Sequence, residues 1–420
     1  MSLLPRHASD AKTSESVDPS DKRLAWEIII VFGVVSLVGD VIYEGARSVN
    51  GPYLKTLGAS AALVGLIAGL GEFLGYATRL ASGWFADRTK AYWLFTFVGY
   101  GLLASVPLLA LAGTWQIAAV FIVLERFGKA VRAPSKDTIL SAATKRVGTG
   151  IGFGLHEAMD QLGALLGPLV FTAVFALGNQ GSDLASYKAG YAWLWIPFGV
   201  LMLSVLYAFL RVPDPERLEP IVPQKTESEK LSRTYWLYTA FSLVTTLGFV
   251  GWPILSYHYA ATGVLPGAQI ALFYAVAMGV DGITALIVGF AYDRLKKRKA
   301  SERGGLVTLV IIPLFSVLIP LFGFGGSKAA AIGAAIVWGV VMGTHETIMK
   351  SAIADITPMR KRGTGYGIFN TAYGFAVFVS SAVMGLLYDS SVVAVVVMAV
   401  AAEIAAIPLF FALRREALRA

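Results

Sequence analysis

Apolar stretches of about 20 residues recur along this chain, separated by short polar connections. That length is what a helix needs to cross the hydrocarbon core of a bilayer. The pattern predicts an all-α membrane protein with twelve transmembrane helices, numbered here as spans 1 to 12. They cover residues 26–48, 61–85, 91–112, 115–138, 151–178, 190–211, 235–260, 268–292, 305–325, 329–352, 364–387 and 391–413.

Polar segments divide the chain into two membrane domains. Residues 26–211 and 235–413 each hold six spans, and the Pro-rich, charged stretch 212–234 is typical of a cytoplasmic linker. Residues 1–25 are polar and lack the apolar core of a signal peptide, so we expect a disordered cytoplasmic tail there. Residues 414–420 are expected to form a second cytoplasmic tail.

The composition agrees with a chain that lies mostly in lipid. Hydrophobic residues make up 56% of the sequence and charged residues 15%, whereas an ordinary soluble domain carries about 25% charged residues. There is no cysteine, which excludes disulfides and thiolate metal sites.

The net charge of +8 comes mainly from basic residues in the loops on the side of the two termini. The opposite loops contribute only Lys55, Lys188 and Lys328. Basic loops stay on the cytoplasmic side of a membrane. We therefore expect an inner-membrane protein with both termini in the cytoplasm and no nucleic-acid partner.

Two short motifs occur twice, in the same order and half the chain apart. A Gly-x-Gly-x-Gly motif begins span 5 at residues 148–152 and span 11 at 363–367. The other motif ends spans 2 and 8, as Gly83, Asp87 and Arg88 in the first copy and Gly289, Asp293 and Arg294 in the second. Ordered repeats predict two copies of a six-helix unit related by pseudo-two-fold symmetry. The substrate path is then expected between them, near the middle of the membrane.

With these motifs, the chain resembles the major facilitator superfamily along essentially its whole length after residue 25. The family signature between spans 2 and 3 matches at Gly83, Asp87, Arg88 and Lys90, but Ala91 follows where further glycine or basic residues are usual. The resemblance implies that this loop forms a charged, gating latch between the halves on the cytoplasmic side. It also implies transport by alternating access.

Span 5 carries a second resemblance. Gly163, Gly167 and Pro168 are similar to the core of a signature associated with drug and metabolite antiporters, which implies export. A plain packing role is the alternative, because small residues four apart allow tight helix contact and a proline bends the helix.

Charged residues inside the predicted spans supply the candidate chemistry, since each needs a cavity or a partner. In span 1, Asp40, Tyr43, Glu44 and Arg47 share one helix face. The alternative for each charge is a structural ion pair between helices. The candidate substrate and proton-coupling residues are Asp40, Tyr43, Glu44, Arg47, Glu72, Arg79, Glu125, Arg126, Arg132, His156, Asp160, Asp281, His345 and Glu346. Most of them lie in the first half, where we place proton coupling.

The absence of a Walker motif argues against ATP hydrolysis by this chain. No nucleophile–base pair of recognisable spacing indicates an enzyme, and no cofactor is expected. The sequence predicts a monomeric secondary active transporter in the lipid bilayer, with protons and a small organic solute or drug as its partners. Proton-coupled export is the leading hypothesis.

Two alternatives share this scaffold. A divalent metal transporter would use nitrogen and oxygen ligands, which suit first-row metals, from His156, Glu157, Asp160, His345 and Glu346. An organic-anion transporter or uniporter would use the basic face of span 4, where Lys129, Arg132 and Lys136 lie on one side of the helix.

Overall fold

A computed structural model describes residues 19–147, 149–178, 183–214, 231–299, 302–357 and 362–419. These residues form twelve spans with no strand among them. In chain order the spans are Pro19–Thr56, Ala61–Thr89, Tyr92–Leu111, Trp115–Val147, Thr149–Leu177, Leu184–Arg211, Arg233–Thr262, Gly267–Lys299, Arg303–Gly323, Lys328–Ile356, Arg362–Ser390 and Val392–Arg419. The twelve-helix prediction is confirmed.

Span 4 differs from the other spans in its polarity. Within the described part of the chain, eleven helices are long and apolar enough to cross a membrane, and Trp115–Val147 is not one of them. That helix carries Glu125, Arg126, Lys129 and Arg132 within two turns, followed by further charges. A helix of this composition must be shielded from lipid by its neighbours.

The ends of several helices differ from the prediction. Span 1 begins at Pro19, so residues 19–25, which we assigned to a disordered tail, form its first turns, and Ala25 is fully buried. The same span continues to Thr56, eight residues beyond its predicted end. Its charged face, which ends at Arg47, is therefore followed by more than two further turns of helix. Spans 7 and 12 likewise extend into the segments assigned to the linker and the second tail.

Parts of the predicted segments cannot be compared in this way. Residues 1–18 of the first tail, 215–230 of the linker, Gly148 and Ala420 lie outside the described residues.

Span 7 is interrupted in its middle. The helix Arg233–Gly248 stops, and a second helix, Trp252–Thr262, begins after Gly251. An interruption at membrane depth needs partners for the freed backbone groups. Ser380 of span 11 donates to the Leu247 carbonyl at 3.1 Å, and the Trp338 indole of span 10 donates to the Val250 carbonyl at 3.1 Å.

The hydrophobic core is divided between the halves. Among the described residues, one buried cluster runs from Ala25 to Val212 and also includes Ala268 and Ala271 of span 8. A second runs through spans 7 to 12 and also includes Ala164 of span 5. Contacts between the halves come from spans 2 and 11, 5 and 8, and 1 and 7. Two bundles that meet along a few helices can tilt against each other while each keeps its own core.

Candidate functional site

One hydrogen bond joins the halves at the centre of the bundle. The hydroxyl of Tyr274 in span 8 donates to Oε2 of Glu44 in span 1 at 2.5 Å. Both residues are buried: Glu44 is 7% exposed and Tyr274 is fully enclosed. A buried carboxylate is stable only with partners of this kind.

A chain of ion pairs continues from Glu44 into the first half. Arg47 lies 3.5 Å from Glu44 and 3.5 Å from Glu72, and Arg126 lies 3.1 Å from Glu72 and 3.4 Å from Glu125. Spans 1, 2 and 4 are thereby connected through five alternating charges. These five predicted site residues come together in a single network.

The Tyr43 ring forms one wall of this network. The guanidinium carbon of Arg126 lies 4.5 Å from the ring centroid, and Nζ of Lys129 lies 3.7 Å from it. A cation over an aromatic face is attracted to its electron-rich π surface. Lys129 belongs to the charged face that the sequence revealed on span 4, although it was not among the candidate site residues.

A second polar group lies within the first half. Asp40, Lys129, Arg132 and Asp160 line a cavity of about 50 Å³, together with parts of spans 1 and 3. His156 lies beside it, with Nε2 2.7 Å from the Ser36 hydroxyl. The cavity shares Lys129 with the Tyr43 wall, so the two groups adjoin.

Glycines bring spans 1 and 5 close enough to form this region. A Cβ on Gly163 would lie 2.3 Å from the Leu37 carbonyl oxygen, and a Cβ on Gly167 would lie 2.6 Å from the Val41 carbonyl oxygen. Both distances are far below van der Waals contact. The two glycines followed by Pro168 therefore set the separation of the helices that carry Asp40 and Asp160, and their proposed link to export stays a prediction.

The predicted residues of the second half are placed less centrally. Asp281 is 3% exposed and packs against Gly343 of span 10, and its Oδ1 has no hydrogen-bond partner within the described ranges. His345 packs between the rings of Phe249 and Tyr373, with 6.2 Å between centroids in each case. Neither residue belongs to the network of ion pairs described above.

Two other predicted residues are oriented towards that network or the contact between halves. Glu346 is exposed and acts electrostatically on Arg47. Arg79 lies over the ring of Tyr76, at 5.8 Å from its centroid, where span 2 meets Tyr373 of span 11.

The residues of the metal alternative do not form a centre. Among the described residues, no three His, Asp or Glu side chains are close enough together to hold a metal ion. Glu157 is exposed, His156 lies beside Ser36, and His345 lies between aromatic rings.

The repeated motif that ends spans 2 and 8 lies at the end of the bundle where span 1 begins, which we call the termini end. Asp87, Arg88, Asp293 and Arg294 are all exposed there. Asp87 accepts a hydrogen bond from the Tyr92 hydroxyl at 3.4 Å, and Arg88 lies over the Trp84 ring. Gly83 packs against Pro134 and Gly289 against Thr347, each within its own half. The latch role of these residues stays a prediction.

The opposite end of the bundle is closed by contacts that the sequence did not reveal. Asp389, the penultimate residue of span 11, accepts hydrogen bonds from the backbone N–H groups of Ala61 at 3.0 Å and Ala62 at 2.9 Å, at the start of span 2. The Trp252 indole donates to the Ser48 carbonyl at 3.1 Å. Halves that touch here, while charges are exposed at the termini end, leave the central network closed towards the opposite end.

Comparisons with known proteins agree with this geometry. The model of the Major Facilitator Superfamily matches residues 36–381. An uncharacterised protein of Mycobacterium tuberculosis is 39% identical over 396 residues, which cover 93% of each chain.

Solved structures show the same fold at low identity. A POT family transporter in complex with 5-aminolevulinic acid superimposes with a TM-score of 0.74 at 13% identity, covering 93% of this chain and 96% of that one. The nucleoside transporter NupG gives a TM-score of 0.64 at 14% identity, covering 92% of this chain and 98% of that one.

Proposed function

The chain belongs to the major facilitator superfamily, and from that premise we propose that it is a proton-coupled secondary transporter of a small organic solute. The observation that carries the proposal is the hydrogen bond between Tyr274 and Glu44. This bond lies between a buried carboxylate of one half and a hydroxyl of the other, so alternating access would break it.

Separation of the halves would change the surroundings of Glu44. With Tyr274 withdrawn, the carboxylate would keep Arg47 at 3.5 Å but would gain access to water. A group whose hydrogen bonds and hydration differ between two conformations has a different proton affinity in each, so protonation and conformation are linked. Binding or release of one proton would then favour one orientation of the transporter.

We further propose that the termini end faces the cytoplasm, as the distribution of basic residues predicts. The contacts of Asp389 and Trp252 then close the outside end, and we propose that the same conformation is open towards the cytoplasm. A cytoplasmic solute could enter this state, which suits export in exchange for protons. In the following assay, such exchange would move protons opposite to the solute.

The test uses the purified protein in liposomes that enclose a pH-sensitive dye. Addition of nucleosides, peptides, organic acids and cationic drugs, one at a time, should change the internal pH for at least one class. Glu44→Gln should abolish that change. The matched control is Glu27→Gln, because Glu27 is an ion-paired carboxylate on the same helix, bound to Arg211 at 2.6 Å and remote from the contact between halves.

Two results would count against proton coupling. One is solute uptake that is indifferent to an imposed pH gradient. The other is a Glu44→Gln variant whose gradient-driven uptake equals that of the parent protein.

A further inference from the structure

The cavity inside the first half has an unusual charge distribution. Its lining includes three cations, from Lys129, Arg132 and Lys136, and two carboxylates, from Asp40 and Asp160. Lys136 lies 3.7 Å from Asp137 and 3.3 Å from Nε2 of His156. Within the described ranges, neither Lys129 nor Arg132 has a carboxylate oxygen within 4.0 Å.

Arg132 is the cation of this cavity whose buried charge has the fewest polar partners among the described residues. The residue is 5% exposed, and its Nη1 has no hydrogen-bond partner among the described residues. Its guanidinium carbon lies 4.7 Å from the Tyr100 ring centroid. An aromatic face attracts a cation but accepts none of the five N–H bonds that a guanidinium offers. Burial of such a group is costly unless an acceptor completes it.

The backbone holds Arg132 firmly in this position. A Cβ on Gly99 of span 3 would lie 2.5 Å from Cβ of Arg132, and a Cβ on Gly128 would lie 2.8 Å from the Gly99 carbonyl oxygen. The two glycines thus let spans 3 and 4 pack backbone to backbone at this level. A guanidinium on so rigid a support can bind a planar or tetrahedral anion with little loss of conformational entropy.

Lys129 connects the cavity to the proposed transport path. It lines the cavity, and its Nζ also lies 3.7 Å from the Tyr43 ring centroid, beside the network that contains Glu44. A cavity of about 50 Å³ can hold a small charged head group. It is too small for a whole organic ligand, for which sites measure about 300–1,000 Å³. The rest of any ligand must therefore extend towards Tyr43.

We propose that this cavity binds the anionic group of the transported solute, a carboxylate, sulfonate or phosphate, and that Arg132 and Lys129 are its ligands. The inference rests on the proposed function only in taking the solute to be cargo. Arg132 binds the oxyanion, and Lys129 lies where the anionic group joins the rest of the molecule. Asp40 and Asp160 offset part of the positive charge of the cavity.

Binding can be measured without a membrane gradient. The purified protein in detergent is titrated at constant ionic strength with succinate, inorganic phosphate and sulfoacetate, and its thermal unfolding is followed. Succinamide, which has the size of succinate without its charge, is the matched neutral probe. We expect at least one anion to raise the unfolding temperature in a saturable way and succinamide to have no effect.

Variants assign the effect to the cavity. Arg132→Gln and Lys129→Gln should each raise the half-saturating anion concentration at least tenfold, and Arg132→Lys should have a smaller effect because it keeps the charge. Arg415→Gln, which removes an exposed cation near the chain end, should leave binding unchanged. Circular dichroism and gel filtration identify a variant that fails to fold. If Arg132→Gln does not fold, the anion affinity of Arg132→Lys decides whether Arg132 binds the anion.

The proposal is overturned if no anion stabilises the parent protein, if succinamide is as effective as succinate, or if Arg132→Gln binds anions as the parent does. A lipid head group is the other source of such chemistry. If phosphatidylglycerol nanodiscs stabilise the protein in an Arg132-dependent manner and no soluble anion does, the substrate assignment is refuted. If the parent protein binds no anion but solute still drives proton movement, this inference alone is refuted. If it binds anions through Arg132 but no solute drives proton movement, proton coupling alone is refuted.

Discussion

Asp389 offers a direct test of how the halves are held together. Its two carboxylate oxygens accept the N–H groups of Ala61 and Ala62 at 3.0 and 2.9 Å. These are the first residues of span 2, where orphan N–H groups and the helix dipole favour a negative charge. The carboxylate therefore caps a helix of the other half, and the cap must be released before this end can open.

The size of the effect follows from these contacts. A hydrogen bond to a charged group contributes about 1.5–3 kcal/mol. The Asp389 side chain is exposed, and water replaces part of its bonding when the end opens, so the lower part of that range applies. Asp389→Asn keeps one acceptor oxygen and removes the charge. We expect closure at this end to lose about 1 kcal/mol, which changes the ratio of closed to open molecules about fivefold.

The absence of cysteine from the sequence makes the measurement clean. Spin labels on Ala185→Cys and Lys328→Cys report the distance between exposed sites of the two halves near this end. Double electron–electron resonance in nanodiscs should show a larger population at long distance for Asp389→Asn than for the parent.

A second cap on the same helix provides the control. Ser60 caps span 2 from within the first half, accepting the Leu63 N–H at 3.3 Å. Ser60→Ala should leave the distance distribution unchanged, because its bond does not cross between halves. If Asp389→Asn has the distribution of the parent, or if Ser60→Ala causes the same shift, the cap does not hold the halves closed.

Three further outcomes are expected. Gly99→Ala should lower the unfolding temperature by an amount equivalent to about 1–3 kcal/mol, because the new methyl group would lie 2.5–2.7 Å from atoms of span 4. Gly101→Ala is the control, since its methyl group would meet nothing within 4 Å, and equal effects of the two substitutions would contradict the packing argument. Tyr274→Phe should increase the open population in the same spin-label assay by removing a bond between the halves, and an unchanged distribution would contradict its role. A cysteine at Lys328 should react with an impermeant maleimide in intact cells, whereas one at Lys297 should require permeabilised cells; the reverse pattern would refute the proposed orientation.

Much of the fold could be predicted because bilayer thickness dictates helix length. Periodicity also predicted the shared face of Asp40, Tyr43, Glu44 and Arg47. The ends of the helices were less predictable, because a transmembrane helix can continue beyond the apolar region. Span 1 does so to Thr56, so its charged face is followed by more than two further turns of helix.

The partners across the halves could not be predicted. Tyr274 and Glu44 are 230 positions apart, and Asp389 and Ala61 are 328 apart. The sequence around a tyrosine does not show whether its hydroxyl binds a carboxylate or its ring only packs against other side chains. Their pairing depends on the register of helices from different halves, which only the folded structure sets.

The contacts within each half differ in kind from the contacts between the halves. Each ion pair described above joins residues of a single half, as Arg47 with Glu72 and Arg211 with Glu27 do. The named hydrogen bonds across the halves have a neutral donor, either the Tyr274 hydroxyl or backbone and indole N–H groups. Removing one partner from a buried ion pair costs about 3–5 kcal/mol, whereas a hydrogen bond from a neutral donor to a carboxylate contributes about 1.5–3 kcal/mol. Strong pairs within a half and weak bonds between halves let each bundle move as a rigid body at a cost that one proton or one bound solute can offset.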